Sequence, residues 1–160
     1  MSQASALRIS EAGSLALHTA AVLAGQRMRR LSAHEIAERI HVSEAHLAKV
    51  LQRLHKAGIV DSVRGRGGGF TLARPASRIR LLDVYEAIEG KLGRSHCLMG
   101  RPKCRATRCI LGGVIAEVDE KLRRYLSSTR LSDLSGVYDG ARRAAGVGTP
   151  TLQDGTGRGR

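Results

Sequence analysis

Three cysteines, Cys97, Cys104 and Cys109, lie within 13 residues in the run HCLMGRPKCRATRC from His96 to Cys109, separated by six and then four residues. An odd number of clustered thiols makes a poor disulfide framework and suits ligation or redox chemistry at sulfur. No acidic residue occurs from Gly90 to Ala116, whereas Lys91, Arg94, Arg101, Lys103, Arg105 and Arg108 surround the thiols. Nearby cations depress a cysteine pKa and offset the negative charge of a thiolate-bound metal centre. Zinc is one rival occupant, but structural zinc sites carry a close pair of the Cys-x(2–4)-Cys kind, and only Cys104 and Cys109 fit it. A nucleophile and base made of Cys97 and His96 is a weaker rival, because neighbours in sequence seldom reach that geometry. Three incidental thiols in a basic loop is the plain alternative.

Whatever these sulfurs do, the rest of the chain must position them. The 160 residues carry a formal charge of +13. Such a field attracts polyanions at long range, with nucleic acid first among them. A membrane is the competing polyanion, yet no run approaches the roughly 20 apolar residues that span a bilayer, so no membrane partner is expected. The start, Met1 to Leu7, lacks a basic segment followed by an apolar one, and the expected location is the cytoplasm, where thiols stay reduced. One domain of ordinary size is expected. Its aromatic residues are only Phe70, Tyr85, Tyr125 and Tyr138, so Leu, Ile, Val and Ala must build the core.

Residues 14–25 are dense in Ala and Leu and predict a first helix closed by Gly25. Ser32 and Glu35 form a capping box opening a short helix that buries Ile36, Ala37 and Ile40. After a turn at His41 and Val42, Ser43 caps a longer helix over 44–57, where Leu47, Val50, Leu51 and Leu54 share one buried face. Two capped helices joined by about three residues predict a helix-turn-helix. The opposite face of the second helix would then turn Ser43, Glu44, Ala45, His46 and Lys49 toward a major groove.

The residues that follow strengthen this reading. Residues 59–63 and 70–72 alternate apolar and polar side chains around Arg64-Gly65-Arg66-Gly67-Gly68-Gly69, the pattern of a β-hairpin with a flexible basic tip. As a wing, it would offer Arg64 and Arg66 to DNA, with Arg64 entering the minor groove. A nucleotide-cradling loop is the alternative for a glycine-rich turn. It fails because no Gly-Lys-Ser/Thr follows and the glycines lead into a strand.

Leu81–Glu89 predicts a short amphipathic helix with Leu82, Val84, Tyr85 and Ile88 available for packing. A longer helical pattern over 106–128 carries Ile110, Leu111, Val114, Ile115, Val118, Leu122, Tyr125 and Leu126 in a wide apolar stripe. It suits either a dimer seam or packing within its own domain. From about Tyr138 the chain turns rich in Gly, Thr and Arg, the composition of a disordered basic tail. The expected divisions are 7–90 for DNA binding, 91–109 for the cysteine loop, 110–137 for dimerisation and closure, and 138–160 for the tail.

From about Leu7 to Leu134 the chain resembles the Rrf2 family of bacterial winged-helix transcription regulators, which includes the iron-sulfur regulator IscR and the nitric-oxide-responsive NsrR. The resemblance rests on Ile36–Arg39, Val42-Ser43, Leu47–Leu54, Lys56–Val60, Leu72–Pro75, Leu82–Val84, Glu86–Gly90, the three cysteines and Thr129–Leu134. Its most specific part is Ser62–Phe70, the run SVRGRGGGF. The resemblance implies a homodimer on a partly palindromic operator in double-stranded DNA, with the long helix pairing subunits. It also implies that Cys97, Cys104 and Cys109 hold an iron-sulfur cluster, 2Fe-2S or 4Fe-4S, that alters DNA affinity.

The family differs in its fourth ligand. The Asp of NsrR-like members falls at Ser14, and the His that follows the third cysteine in IscR-like members falls at Gly112. His18 matches a histidine ligand in a redox-responsive branch and is the first choice, although that branch's Glu also falls at Ser14. His96, Glu11 and a partner subunit stay open, as does plain helix packing for His18. The intervals of six and four differ from the five and five usual in IscR, which bears on nuclearity.

The expected fold is therefore mainly α, a winged helix-turn-helix with a hairpin wing and a long dimerisation helix. The expected function is transcription control, as a repressor without catalytic residues, sensing redox state, nitric oxide or cluster status. A small zinc-binding or thiol-redox protein with incidental nucleic-acid binding is the alternative from another class. An RNA-binding winged helix is the third.

Overall fold

The computed structural model describes residues 9–26, 29–92, 111 and 113–138. The cysteine loop, His96 and nearly all of the expected tail lie outside them. Helix α1 (Glu11–Gly25) begins three residues before the sequence reading, because Ser10 accepts from the N–H of Gly13 and so opens the helix at Glu11. Its N-terminus is held a second time, by Glu89, whose Oε1 accepts from the Ser10 N–H at 2.9 Å and from the Ser10 hydroxyl at 2.5 Å. Gly13 leaves room for that carboxylate, since a Cβ there would lie 2.1 Å from Glu89 Oε1.

Helix α2 (Ala33–Ile40) opens with the expected capping box: Ser32 Oγ accepts from Glu35 N–H at 3.1 Å, and Glu35 Oε2 accepts from Ser32 N–H at 2.8 Å. The Ser32 N–H bond, joined by that hydroxyl and the Arg29 charge, outweighs the opposing effect of burial and holds the Glu35 carboxyl below its ordinary value. His41, in the left-handed region at φ 54°, ends α2 and turns the chain into α3 (Glu44–Lys56), capped by Ser43. Leu47, Val50, Leu51 and Leu54 are all buried, as their spacing predicts. Gly58, at φ 68°, stops the helix, and the Ile59 N–H returns to Leu54 O at 3.0 Å. This is a left-handed C-terminal cap of the kind glycine favours.

The wing is an antiparallel pair, β1 (Val60–Val63) with β2 (Gly69–Leu72), in the register Val60 with Leu72 and Val63 with Gly69. Leu31 adds a one-residue third strand, bonded both ways to Phe70 at 3.0 and 2.8 Å, so the hairpin is tied to the entry of α2. The tip glycines serve two ends: Gly65 and Gly67 stand in open space at φ 97° and 79°, whereas the next two are packed against backbone. A Cβ at Gly68 would lie 2.2 Å from Val63 O, and one at Gly69, itself at φ 138°, 2.6 Å from Leu31 O. Close backbone packing demands glycine at both.

After a short 3-10 turn at Ala76–Arg78, α4 (Leu81–Glu89) buries Leu81, Leu82, Val84, Tyr85 and Ile88. Helix α5 (Val114–Ser128) follows, and a second 3-10 turn at Leu131–Leu134 closes the packed unit. The expected start of α5 near residue 106 is not met within the described residues, because Leu111 and Gly113 form a turn before it. The two segments Arg80-Leu81-Leu82-Asp83 and Arg130-Leu131-Ser132-Asp133 meet as an antiparallel bridge, with Leu81 N–H on Thr129 O at 3.0 Å and Leu131 N–H on Ile79 O at 2.9 Å. Each Asp accepts from the N–H of its own Arg, at 2.9 and 2.8 Å. Burial pushes the Asp83 carboxyl up, but the Arg80 bonds and charge outweigh it and hold the group below its usual range. The end of α5 is thereby pinned to the start of α4. The core gathers the inner faces of α1, α3 and α4 with Leu31, Ile36, Val60, Ile79, Leu126 and Leu131.

Candidate nucleic-acid interface and sensor face

Ser43, Glu44, Ala45 and Lys49 are exposed along one side of α3, and His46 is half-exposed beside them. The buried stripe of Leu47, Val50, Leu51 and Leu54 holds the helix with that side outward. Arg53, near its other end, donates to Ile88 O of α4 and fixes the helix against the domain. Arg64 and Arg66 are exposed at the wing tip. The five helix residues and two wing arginines thus flank the two projections by which a winged helix-turn-helix straddles a duplex.

Two of the helix residues carry partners that spacing did not foretell. Glu44 stands 3.6 Å from His34 of α2, which also lies 3.4 Å from Glu38. His46 Nδ1 stands 3.4 Å from Glu11 Oε1 at the start of α1. His34 and Glu38 are four apart within α2, but the contacts of Glu44 with His34 and of His46 with Glu11 join different elements, and periodicity carries no signal for those.

Glu11 belongs to a second feature. With Ser14 and His18 it follows the i, i+3, i+7 spacing of one helix face, and all three line a hollow of about 350 Å³. Leu15, Ile9, Ile40 and Val42 supply its apolar wall, Ile40 from the end of α2 and Val42 from the turn that follows it. His18 is exposed; its Nδ1 is hydrogen-bonded to the Tyr138 hydroxyl, while Nε2 has no partner among the described residues. Among the described residues no three His, Cys, Asp or Glu converge on a metal position. A metal centre would therefore draw donors from outside the described residues, where Cys97, Cys104 and Cys109 lie. Their donor chemistry fits: three thiolates with one imidazole suit an iron-sulfur centre or zinc. Of the other candidate ligands on α1, Glu11 is engaged by His46, and Ser14 offers only a hydroxyl. His18, which lines the hollow and whose Nε2 has no partner among the described residues, is the one that fits best.

A family profile described as an iron-dependent transcriptional regulator, Rrf2, matches residues 9–136. The chain belongs to the Rrf2 family. A putative HTH-type transcriptional regulator YwgB of Bacillus subtilis is 35% identical over 118 residues, covering 68% of this chain and 74% of that protein. The regulator IscR of Xenorhabdus nematophila is 34% identical over 101 residues, covering 62% of this chain and 61% of that protein. Against IscR, then, the match spans about three-fifths of the relative's length. Among solved structures, CymR, the global cysteine regulator of B. subtilis, superposes with a TM-score of 0.70 at 27% identity, covering 82% of this chain and 98% of its own. IscR of T. potens gives 0.65 at 27% identity, covering 88% and 95%. As an Rrf2 protein the chain is a winged-helix transcription regulator and not an enzyme, and regulators of this family bind DNA. No helix among the described residues is long and apolar enough to cross a membrane.

Proposed function

We propose that this Rrf2 protein is a cytoplasmic, homodimeric repressor whose affinity for a double-stranded operator is set by an iron-sulfur cluster on Cys97, Cys104, Cys109 and His18. Ser43, Glu44, Ala45, His46 and Lys49 meet the major groove, and Arg64 and Arg66 the minor groove or its phosphates. The segment 7–90 is the DNA-binding part, 91–109 the cluster loop, and 110–137 the pairing region, where α5 of each subunit covers the other.

The observation that carries this reading is the single face of α1. It presents His18 near its middle and Glu11 at its start, and Glu11 is paired with His46 of α3. A rigid helix thus links the candidate sensor ligand to a candidate base-contacting residue. Glu89, which caps α1, is followed directly by Gly90 and the segment leading to the cysteines. When bound, the cluster supplies a centre whose charge and ligand set respond to oxidants and nitric oxide. What the chain supplies is a lever: any shift in how His18 is held moves α1 against the end of α2, the His41–Val42 turn and the start of α3. Such a shift changes DNA affinity only if the two positions of α3 differ in their fit to the groove.

Anaerobically purified protein should be coloured and contain iron with acid-labile sulfide, and Ser at any of the three cysteines should bleach it. Operator affinity should differ between the loaded and cluster-free forms. Stoichiometric zinc without sulfide would replace the cluster reading with the zinc alternative. Metal-free protein that changes DNA affinity on thiol oxidation would replace it with a thiol switch. Titration with salt on specific and scrambled duplexes tests the DNA reading independently, since a regulator shows a large specific ratio as well as a steep salt slope.

A further inference from the structure

We infer that Tyr138 is a positioning residue for His18, holding the imidazole by Nδ1 so that Nε2 is the nitrogen offered to a metal centre. The inference rests on the reading of His18 as fourth ligand and adds a residue outside that ligand set. An exposed histidine on a helix ordinarily samples several rotamers, and an entropic cost attends fixing it in one. Here the ring is met edge-on by Tyr138, with centroids 6.0 Å apart and planes at 78°. The Tyr138 hydroxyl bonds Nδ1 across 120 residues of sequence. Tyr138 is itself anchored, packing against the core just after the closing 3-10 turn.

The chemistry of the pair is directional. A metal on Nε2 leaves the imidazole proton on Nδ1, which then donates to Tyr138 Oη. Outer partners of ligating histidines act in this way, fixing tautomer and ring orientation, and their loss commonly weakens metal binding by about 10–100-fold. Tyr138 also lines the same hollow as His18.

The test compares wild type, Tyr138→Phe, His18→Ala and the double variant, all purified without oxygen and challenged with an iron chelator while visible absorbance is followed. Tyr138→Phe keeps the ring and removes only the hydroxyl. It should lose colour about tenfold faster than wild type. The double variant should lose it no faster than His18→Ala alone, because Tyr138 acts through His18. In the reduced, loaded protein the nitrogen hyperfine coupling of the bound imidazole should change in Tyr138→Phe, and the cluster-free variant should melt at the wild-type temperature. Wild-type stability and coupling in Tyr138→Phe, with rapid bleaching in His18→Ala, would overturn the Tyr138 role alone. A cluster-free melting point well below wild type would also overturn it, by tracing the effect to packing. Wild-type colour retention in His18→Ala would instead remove the ligand reading, and this inference with it.

Discussion

Helices α3 and α5 carry apolar stripes of similar spacing, yet they are buried to very different degrees. In α3 the residues Leu47, Val50, Leu51 and Leu54 are sealed inside the protomer. In α5 only Leu126 is buried, while Val114, Val118 and Tyr125 are 55%, 40% and 57% exposed. Leu111, in the preceding turn, extends this exposed row. Periodicity says that a face must be covered; it does not say by what. The first stripe is a core and the second an open face, and an apolar row of this kind marks an interaction surface.

The sharpest way to break the contrast is to place a charge on the open face. Val118→Asp should leave the protomer folded, because the residue is already partly in water. If α5 pairs with its copy, the carboxylate would be buried without a partner, at a cost of several kcal/mol. Sedimentation should then show monomers, with operator affinity down by about a thousand-fold or roughly 4 kcal/mol. A monomeric wild type at micromolar concentration would leave α5 without the partner proposed for it.

The matching substitution on the sealed face has a different signature. Leu51→Ala removes a side chain from the interior and should cost about 2–5 kcal/mol of folding free energy. Denaturant unfolding should show this as a lower midpoint, and the folded fraction should remain dimeric. Loss of dimer without loss of protomer stability would mean that the two helices have exchanged roles.

These two helices also show what was legible beforehand. Ser32, Glu35 and Ser43 announced their helix starts because capping is local chemistry, and Leu81–Glu89 was readable from end to end by its amphipathic pattern. The wing was readable from its alternation and glycines, but the reason for Gly68 and Gly69 was not, since Val63 O and Leu31 O approach them only after the hairpin closes. Partnerships made in three dimensions left no trace: Glu11 with His46, Glu89 with Ser10, and Tyr138 with His18. Tyr138 illustrates the limit, because a change in composition placed it at the edge of a tail, whereas it packs against the core. The cysteines stood out by type and spacing, and their geometry lies outside the described residues.

A third substitution separates outward function from inward packing within the DNA-binding half. Arg64 is exposed at the wing tip, with no side-chain hydrogen bond or ion pair among the described residues. Arg64→Ala should leave the unfolding midpoint unchanged and cost about 1–3 kcal/mol of specific DNA affinity, through loss of a charge-assisted groove contact. Fluorescence anisotropy on specific and scrambled duplexes would measure it. Equal loss on both sequences would reassign Arg64 from groove recognition to phosphate attraction.

The smallest expected effect tests whether the entry to the helix-turn-helix is held by a charge or by a hydrogen bond alone. Glu35 closes the capping box as a carboxylate, accepts from Ser32 N–H and pairs with Arg29, and its pKa is lowered by these contacts. Glu35→Gln keeps a side-chain acceptor for Ser32 but removes the charge near the positive end of the α2 dipole, worth about 0.3–1 kcal/mol. A group whose folded pKa lies below its unfolded one adds stability that is fully present above the unfolded value and is lost as pH falls through the folded one. The wild-type advantage over Glu35→Gln should therefore be constant from neutrality down to about pH 5, then shrink as acid protonates the carboxylate. Chemical denaturation of the two proteins across that range would show the curves converging. Parallel curves down to pH 3 would mean that the charge adds nothing, and that Ser32 and the amide geometry hold this helix start.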